Sequence, residues 1–124
     1  MTATKQPPVK ISHIDWQQQV VDLLRVLGWR WMHVRRSKGH GGFWTTSTNI
    51  DGWPDLLCWS IRGKPGLVAI ELKVGRDKPS AAQIKVLSEL HSSGVKCWVL
   101  WPHQLDAVPG WLNNIERAPT RIGW

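Results

Sequence analysis

Between Ser12 and Gly28 the polar and apolar positions alternate with the period of a helix. Gln17, Val20, Val21, Leu24 and Leu27 recur on one side, while Asp15, Gln18, Gln19, Asp22 and Arg25 take the other. Ser12-His13-Ile14-Asp15 has the form of a capping box, in which the Ser12 hydroxyl and the Asp15 carboxylate satisfy the first free amides, and Gly28 supplies the stop. The pattern predicts an amphipathic helix of about four turns. Trp29 to Arg35 is rich in aromatic and β-favouring residues and suits a first strand. The glycine-rich stretch Arg36-Ser37-Lys38-Gly39-His40-Gly41-Gly42 reads as a flexible basic loop that Thr45 to Gly52 continues.

Two apolar runs follow, Pro54 to Ile61 and Leu67 to Val74. The intervening Arg62-Gly63-Lys64-Pro65-Gly66 makes an antiparallel hairpin the simplest connection. Ser80-Ala81-Ala82-Gln83 repeats the capping-box form, and Gln83, Val86, Leu87 and Leu90 mark one face of a second helix that ends near Gly94. Val95 to Trp101 is a further strand. Strand, helix, strand in this order requires a crossover that returns the last strand parallel to an earlier one. The expected fold is therefore α/β, an α-β-β-β-α-β order with a mixed central sheet flanked by helices. His103 to Val108 and Trp111 to Arg117 are read as short helices.

A chain of 124 residues has the size of one domain. Residues 1–11, with Pro7 and Pro8, are expected to form a flexible arm, 12–117 the single domain, and 118–124 a C-terminal tail. With 42% hydrophobic and 20% charged residues the chain can bury a core, which excludes wholesale disorder. Runs such as Leu67-Val68-Ala69-Ile70 are far short of the roughly 20 residues of a membrane span. The N-terminus has no apolar secretion core, so a cytosolic protein is expected. Cys58 and Cys97 lie in apolar runs without metal-ligand spacing and suit reduced core thiols. Sixteen Lys and Arg against nine Asp and Glu leave a formal charge of +7, which makes nucleic acid the default partner. Ten Trp, one Phe and no Tyr leave aromatic rings for both packing and base stacking.

Two charges interrupt the second hairpin strand. Side chains alternate faces along a strand, so Glu71 and Lys73 point the same way as Leu67 and Ala69, while Val68, Ile70 and Leu72 point to the other face. If the hairpin pairs Asp55 with either Glu71 or Lys73, the two carboxylates share a face within about 5 to 8 Å, and a one-residue slip would separate them. Carboxylates forced together beside a core require a compensating cation. Asp55, Glu71 and the backbone carbonyl of Leu72 suit Mg²⁺ or Mn²⁺, with Lys73 free to orient a water or stabilise charge on a phosphate. Asp51 is explained by turn chemistry and Asp77 by the linker before the helix cap. A solvated strand end is the bland alternative for Glu71 and Lys73, and a turn residue for Asp55.

In this order Pro54-Asp55 and Glu71-Leu72-Lys73 resemble the pattern of the PD-(D/E)XK nuclease superfamily. Gly28-Trp29, Gly52-Trp53-Pro54-Asp55-Leu56, Ala69-Ile70-Glu71-Leu72-Lys73, Gln83 and Trp101-Pro102 are similar to the stand-alone phage-type members of its virus-type replication-repair nuclease family, over about Ser12 to Val108. The resemblance implies a restriction-endonuclease-like core, dependence on Mg²⁺ or Mn²⁺, and cleavage of branched, flap or Holliday-junction DNA, often by a homodimer, in the cytoplasm of a bacterial or phage-infected cell. It adds Gln17 and Gln83 to the catalytic residues Asp55, Glu71 and Lys73. The family's first helix carries a Glu four residues before that Gln, and here His13 stands in its place. His13 is read as an exposed first-turn residue, Asp15 as the cap, and Gln83 as either a cap or a reach into the site.

Arg35, Arg36, Lys38 and His40 lie beside glycines that allow close approach to phosphate, and Lys64, Arg76 and Lys78 add further candidate DNA contacts. Phe43 or Trp44 is placed to stack on an unpaired base. The competing expectation is a nuclease-fold module that binds DNA without cutting it, motivated by the missing helix acid.

Overall fold

Ser12 opens the first helix, α1 (His13–Val26), its hydroxyl accepting the Asp15 amide at 3.1 Å. Gly28, at φ +79°, ends it in the left-handed conformation that a following strand requires. The computed structural model describes residues 10–34, 36–38, 44–46 and 50–124. The buried stripe of α1 is Trp16, Val20, Val21 and Leu24. Trp16 anchors it: the fully buried indole donates from Nε1 to the Leu100 carbonyl at 3.1 Å, across 84 residues of sequence.

The strands are β1 (Trp29–His33), β2 (Arg36–Lys38), β3 (Trp44–Thr46), β4 (Leu56–Ser60), β5 (Leu67–Leu72), β6 (Lys96–Leu100) and β7 (Arg121–Ile122). Five of them form one mixed sheet in the order β1-β4-β5-β6-β7. The β1/β4 and β4/β5 pairs are antiparallel, and the β5/β6 and β6/β7 pairs are parallel. The crossover between β5 and β6 carries α2 (Ala81–Ser92), whose predicted capping box is complete. Beyond β6 come the 3₁₀ turn Pro102–Ala107, α3 (Val108–Asn113) and the 3₁₀ turn Ile115–Arg117.

The sheet is covered on both faces, which makes the fold α/β. On one face α1 and α3 bury Trp16, Val20, Leu24, Val108 and Leu112 against Val68, Ile70, Leu72, Trp98 and Leu100. On the other, Leu87 of α2 packs on Ala69, Cys97 and Val99. The two faces of β5 thus divide as its alternation predicts. Cys58 and Cys97 are free, buried thiols. Among the described residues no helix is long and apolar enough to cross a membrane.

Two expectations are corrected. The stretch read as a basic loop contains strand β2, which pairs with β3 as a separate two-stranded sheet, Arg36 opposite Thr46 and Lys38 opposite Trp44. The stretch 118–124, expected to be a tail, contributes β7 to the main sheet. Indole donors hold it there: Trp98 Nε1 reaches the Pro119 carbonyl at 2.7 Å, and Trp124 Nε1 reaches the Cys97 carbonyl at 2.9 Å. The proposed N-terminal arm, apart from Lys10 and Ile11, lies outside the described residues.

Candidate active site

The hairpin register decides what meets what. Leu56 pairs with Ile70, so one step further along the antiparallel ladder Asp55 falls opposite Glu71. At this point a side chain replaces the main chain: Asp55 Oδ2 accepts the Leu72 amide at 2.8 Å. The turn before it is fixed by Gly52, at φ +88°, where any Cβ would lie 2.4 Å from the backbone carbonyl of Ala82 in the first turn of α2. Glycine is therefore needed twice over, for its dihedral and for its missing side chain. The segment leading to Asp55 is thereby seated against α2.

Glu71 is 3% exposed, the one buried carboxylate of the described chain. Gln83 Nε2 donates to its Oε1 at 3.2 Å, and Lys73 Nζ stands 3.6 Å from the same oxygen. The amide of Gln83 is used at both ends, because its Oε1 also accepts the Ser80 amide at 2.8 Å while Ser80 Oγ accepts the Gln83 amide at 3.1 Å. The two roles weighed for Gln83 are thus both present. Glu71, Lys73 and Gln83 lie at the carboxyl end of β5, where parallel strands of open α/β sheets commonly present ligand sites.

His13 joins this group from α1. Its Nε2 lies 3.3 Å from Asp55 Oδ2, although its side chain is 44% exposed. The hydrogen bond to Asp55 holds its pKa above the ordinary 6.5, outweighing the burial that lowers it, and a backbone hydrogen bond with Leu72 acts in the same upward direction. For Asp55, burial pushes the pKa up, but hydrogen bonds with His13, the Leu72 backbone and the Glu71 side chain prevail and leave it below 3.8. The sequence signal for His13 was its place four residues before Gln17. Its half-exposure on the first turn concealed the contact.

The His13–Asp55 pair gives the metal-free protein a pH signature. The raised histidine contributes stability in full below 6.5, lost as pH rises through its folded pKa. The lowered aspartate contributes above 3.8, lost as pH falls through its own. With a chelator present, urea unfolding should therefore show wild type most stabilised over His13→Gln at about pH 5, with the gap closing as pH rises above the ordinary imidazole range. A gap that does not change with pH would show that the pair contributes nothing.

The remaining predicted residues divide. Gln17 lies one turn further along α1 and is half-buried, with no hydrogen bond to Asp55, Glu71 or Lys73 among the described residues. Lys64 is not at the site. It sits in the β4–β5 turn, at the opposite end of the hairpin, where its ammonium is bound by the Asn113 carbonyl. Arg76 and Lys78 are exposed in the connection that follows β5, on the side of the site. Arg36 and Lys38 belong to β2 and Trp44 to β3, while Arg35, His40 and Phe43 lie outside the described residues. Among the described residues no group of three or more His, Cys, Asp or Glu side chains is assembled as a metal cage. Compared with family models, curated proteins and solved structures, the chain gives no match.

Proposed function

We propose that the chain is a divalent-metal-dependent DNA endonuclease with a restriction-endonuclease-like core, similar to PD-(D/E)XK enzymes and within them to the virus-type replication-repair nucleases. The observation that supports this most is the register that sets Asp55 opposite Glu71 and puts Lys73 on the same face. Two carboxyl groups in side-chain contact need a proton or a cation between them. Oxygen donors of this kind fit a hard divalent ion: Asp55, Glu71 and the Leu72 carbonyl would hold Mg²⁺ or Mn²⁺. The bound cation would supply an acidified water and neutralise charge on the phosphate.

The chain's own residues carry the rest. Lys73 holds a positive charge beside Glu71, where it can orient the attacking water or stabilise phosphate charge. Gln83 fixes the rotamer of Glu71, and the Leu72 amide fixes that of Asp55. Arg76 and Lys78 border the site with charge suited to phosphate contacts, and the +7 net charge would draw in the duplex. A twofold dimer would supply the paired nicks that a four-way junction requires.

A second reading, a nuclease-fold module that binds DNA without cutting, is favoured by one observation. His13 lies against Asp55 and Lys73 against Glu71, so the site's charges can balance with no metal present. One experiment separates the two. Labelled junction, flap and plain duplex DNA incubated with Mg²⁺ or Mn²⁺ should be cut, with branched forms preferred, and a chelator should stop the reaction. DNA retention without cutting under every metal would favour the module.

A further inference from the structure

The groups proposed to hold a cation at the site described above are all oxygens, and beside them stands an imidazole, that of His13. Its Nε2 points at the same Asp55 Oδ2 that would ligate a metal, 3.3 Å away. That same oxygen accepts the Leu72 amide at 2.8 Å, so the residue whose carbonyl is the third oxygen donor of the set lies beside the pair. In an octahedral site with bonds of roughly 2.1 Å, neighbouring ligand atoms are about 3 Å apart. The separation of Nε2 from Oδ2 is close to that edge. Both atoms can therefore bind one cation with little movement, the ring exchanging its contact to Asp55 for a shared metal.

Resting on the nuclease reading, we infer that His13 is a nitrogen ligand of the metal site and makes it discriminate against Mg²⁺ in favour of a transition-metal cation such as Mn²⁺. Oxygen donors alone serve Mg²⁺ and Mn²⁺ alike, but imidazole favours the first-row transition metals, and Mg²⁺ gives up its waters reluctantly. The placement of His13 is not accidental to the fold. Trp16, three residues on, fixes α1 against the end of β6 through its bond to Leu100, which holds the first turn of the helix over β5 and β6. The exposure of His13, 44% for its side chain, also means that its replacement removes little packing.

Binding, and not cleavage, tests the inference. Titration calorimetry of the full chain with Mn²⁺ and with Mg²⁺ should give tighter Mn²⁺ binding. His13→Ala and His13→Gln should each weaken Mn²⁺ by about tenfold or more, with Mg²⁺ changed much less. Electron spin echo spectroscopy of the Mn²⁺ complex should show modulation from a directly bound nitrogen in wild type that is lost in both variants. Mn²⁺ binding that depends on Asp55 but carries no nitrogen modulation would overturn the role of His13 and leave the nuclease reading standing. Absence of any Asp55-dependent binding would overturn both.

Discussion

On the proposed nuclease reading, Asp55→Asn should reduce metal-dependent DNA cutting by on the order of a thousandfold or more, with the fold and most DNA retention kept. The substitution keeps the shape of the side chain and an oxygen that can still accept the Leu72 amide, so the ladder between β4 and β5 survives. What it removes is the charge that a cation and His13 both need. Lys73→Ala should reduce cutting to a similar extent by a different route. It leaves both carboxylates in place and takes away the ammonium 3.6 Å from Glu71, so Mn²⁺ binding should persist where catalysis does not. Gel assays of cleavage beside calorimetry of metal binding distinguish the two variants. Cutting that survives in either, at wild-type rates, would refute the assignment of these residues.

Trp16→Ala should cost about 3 to 5 kcal/mol of stability, the range for truncating a large buried aromatic side chain. The indole is wholly inaccessible and sits among Val20, Leu72, Trp98 and Leu100, so its loss opens a cavity between α1 and the sheet. Trp16→Phe separates packing from hydrogen bonding. It retains much of the contact and removes one of the two donors to the Leu100 carbonyl, which keeps the Lys73 amide at 3.0 Å, so the hydrogen bond's share is about 0.5 to 1.5 kcal/mol. Urea unfolding with a chelator present measures both. Trp59→Ala provides the comparison, because Trp59 lies at the exposed side of β4 and should matter far less. Equal costs at the two positions would contradict the central role given to Trp16.

Local rules were sufficient where a feature is made by neighbours in the sequence. The Ser80–Gln83 cap, the end of α1 at Gly28 and the two faces of β5 all depend on residues within a turn or a strand of one another. The Asp55–Glu71 juxtaposition was legible for the same reason, since a short hairpin connection limits the register to few choices. Contacts made across the fold were not. His13 meets Asp55 only because α1 crosses the sheet at the level of Leu100, and nothing in the first helical turn specifies that crossing. Strand β7 has two residues, too few for an alternation to register, and is held by indole bonds from Trp98 and Trp124 to distant carbonyls. The glycines between β2 and β3 masked a pair of strands that are each three residues long.

Gln83 ties the beginning of α2 to the orientation of Glu71 through a single amide group, one end on the Ser80 backbone and the other on the carboxylate. Helix ends fray well before a domain melts as a whole. Unwinding the first turn of α2 would turn that amide away and free the Glu71 carboxylate to change rotamer. If the chain cuts DNA as proposed, warming should therefore silence cutting while its circular dichroism is still that of the native fold.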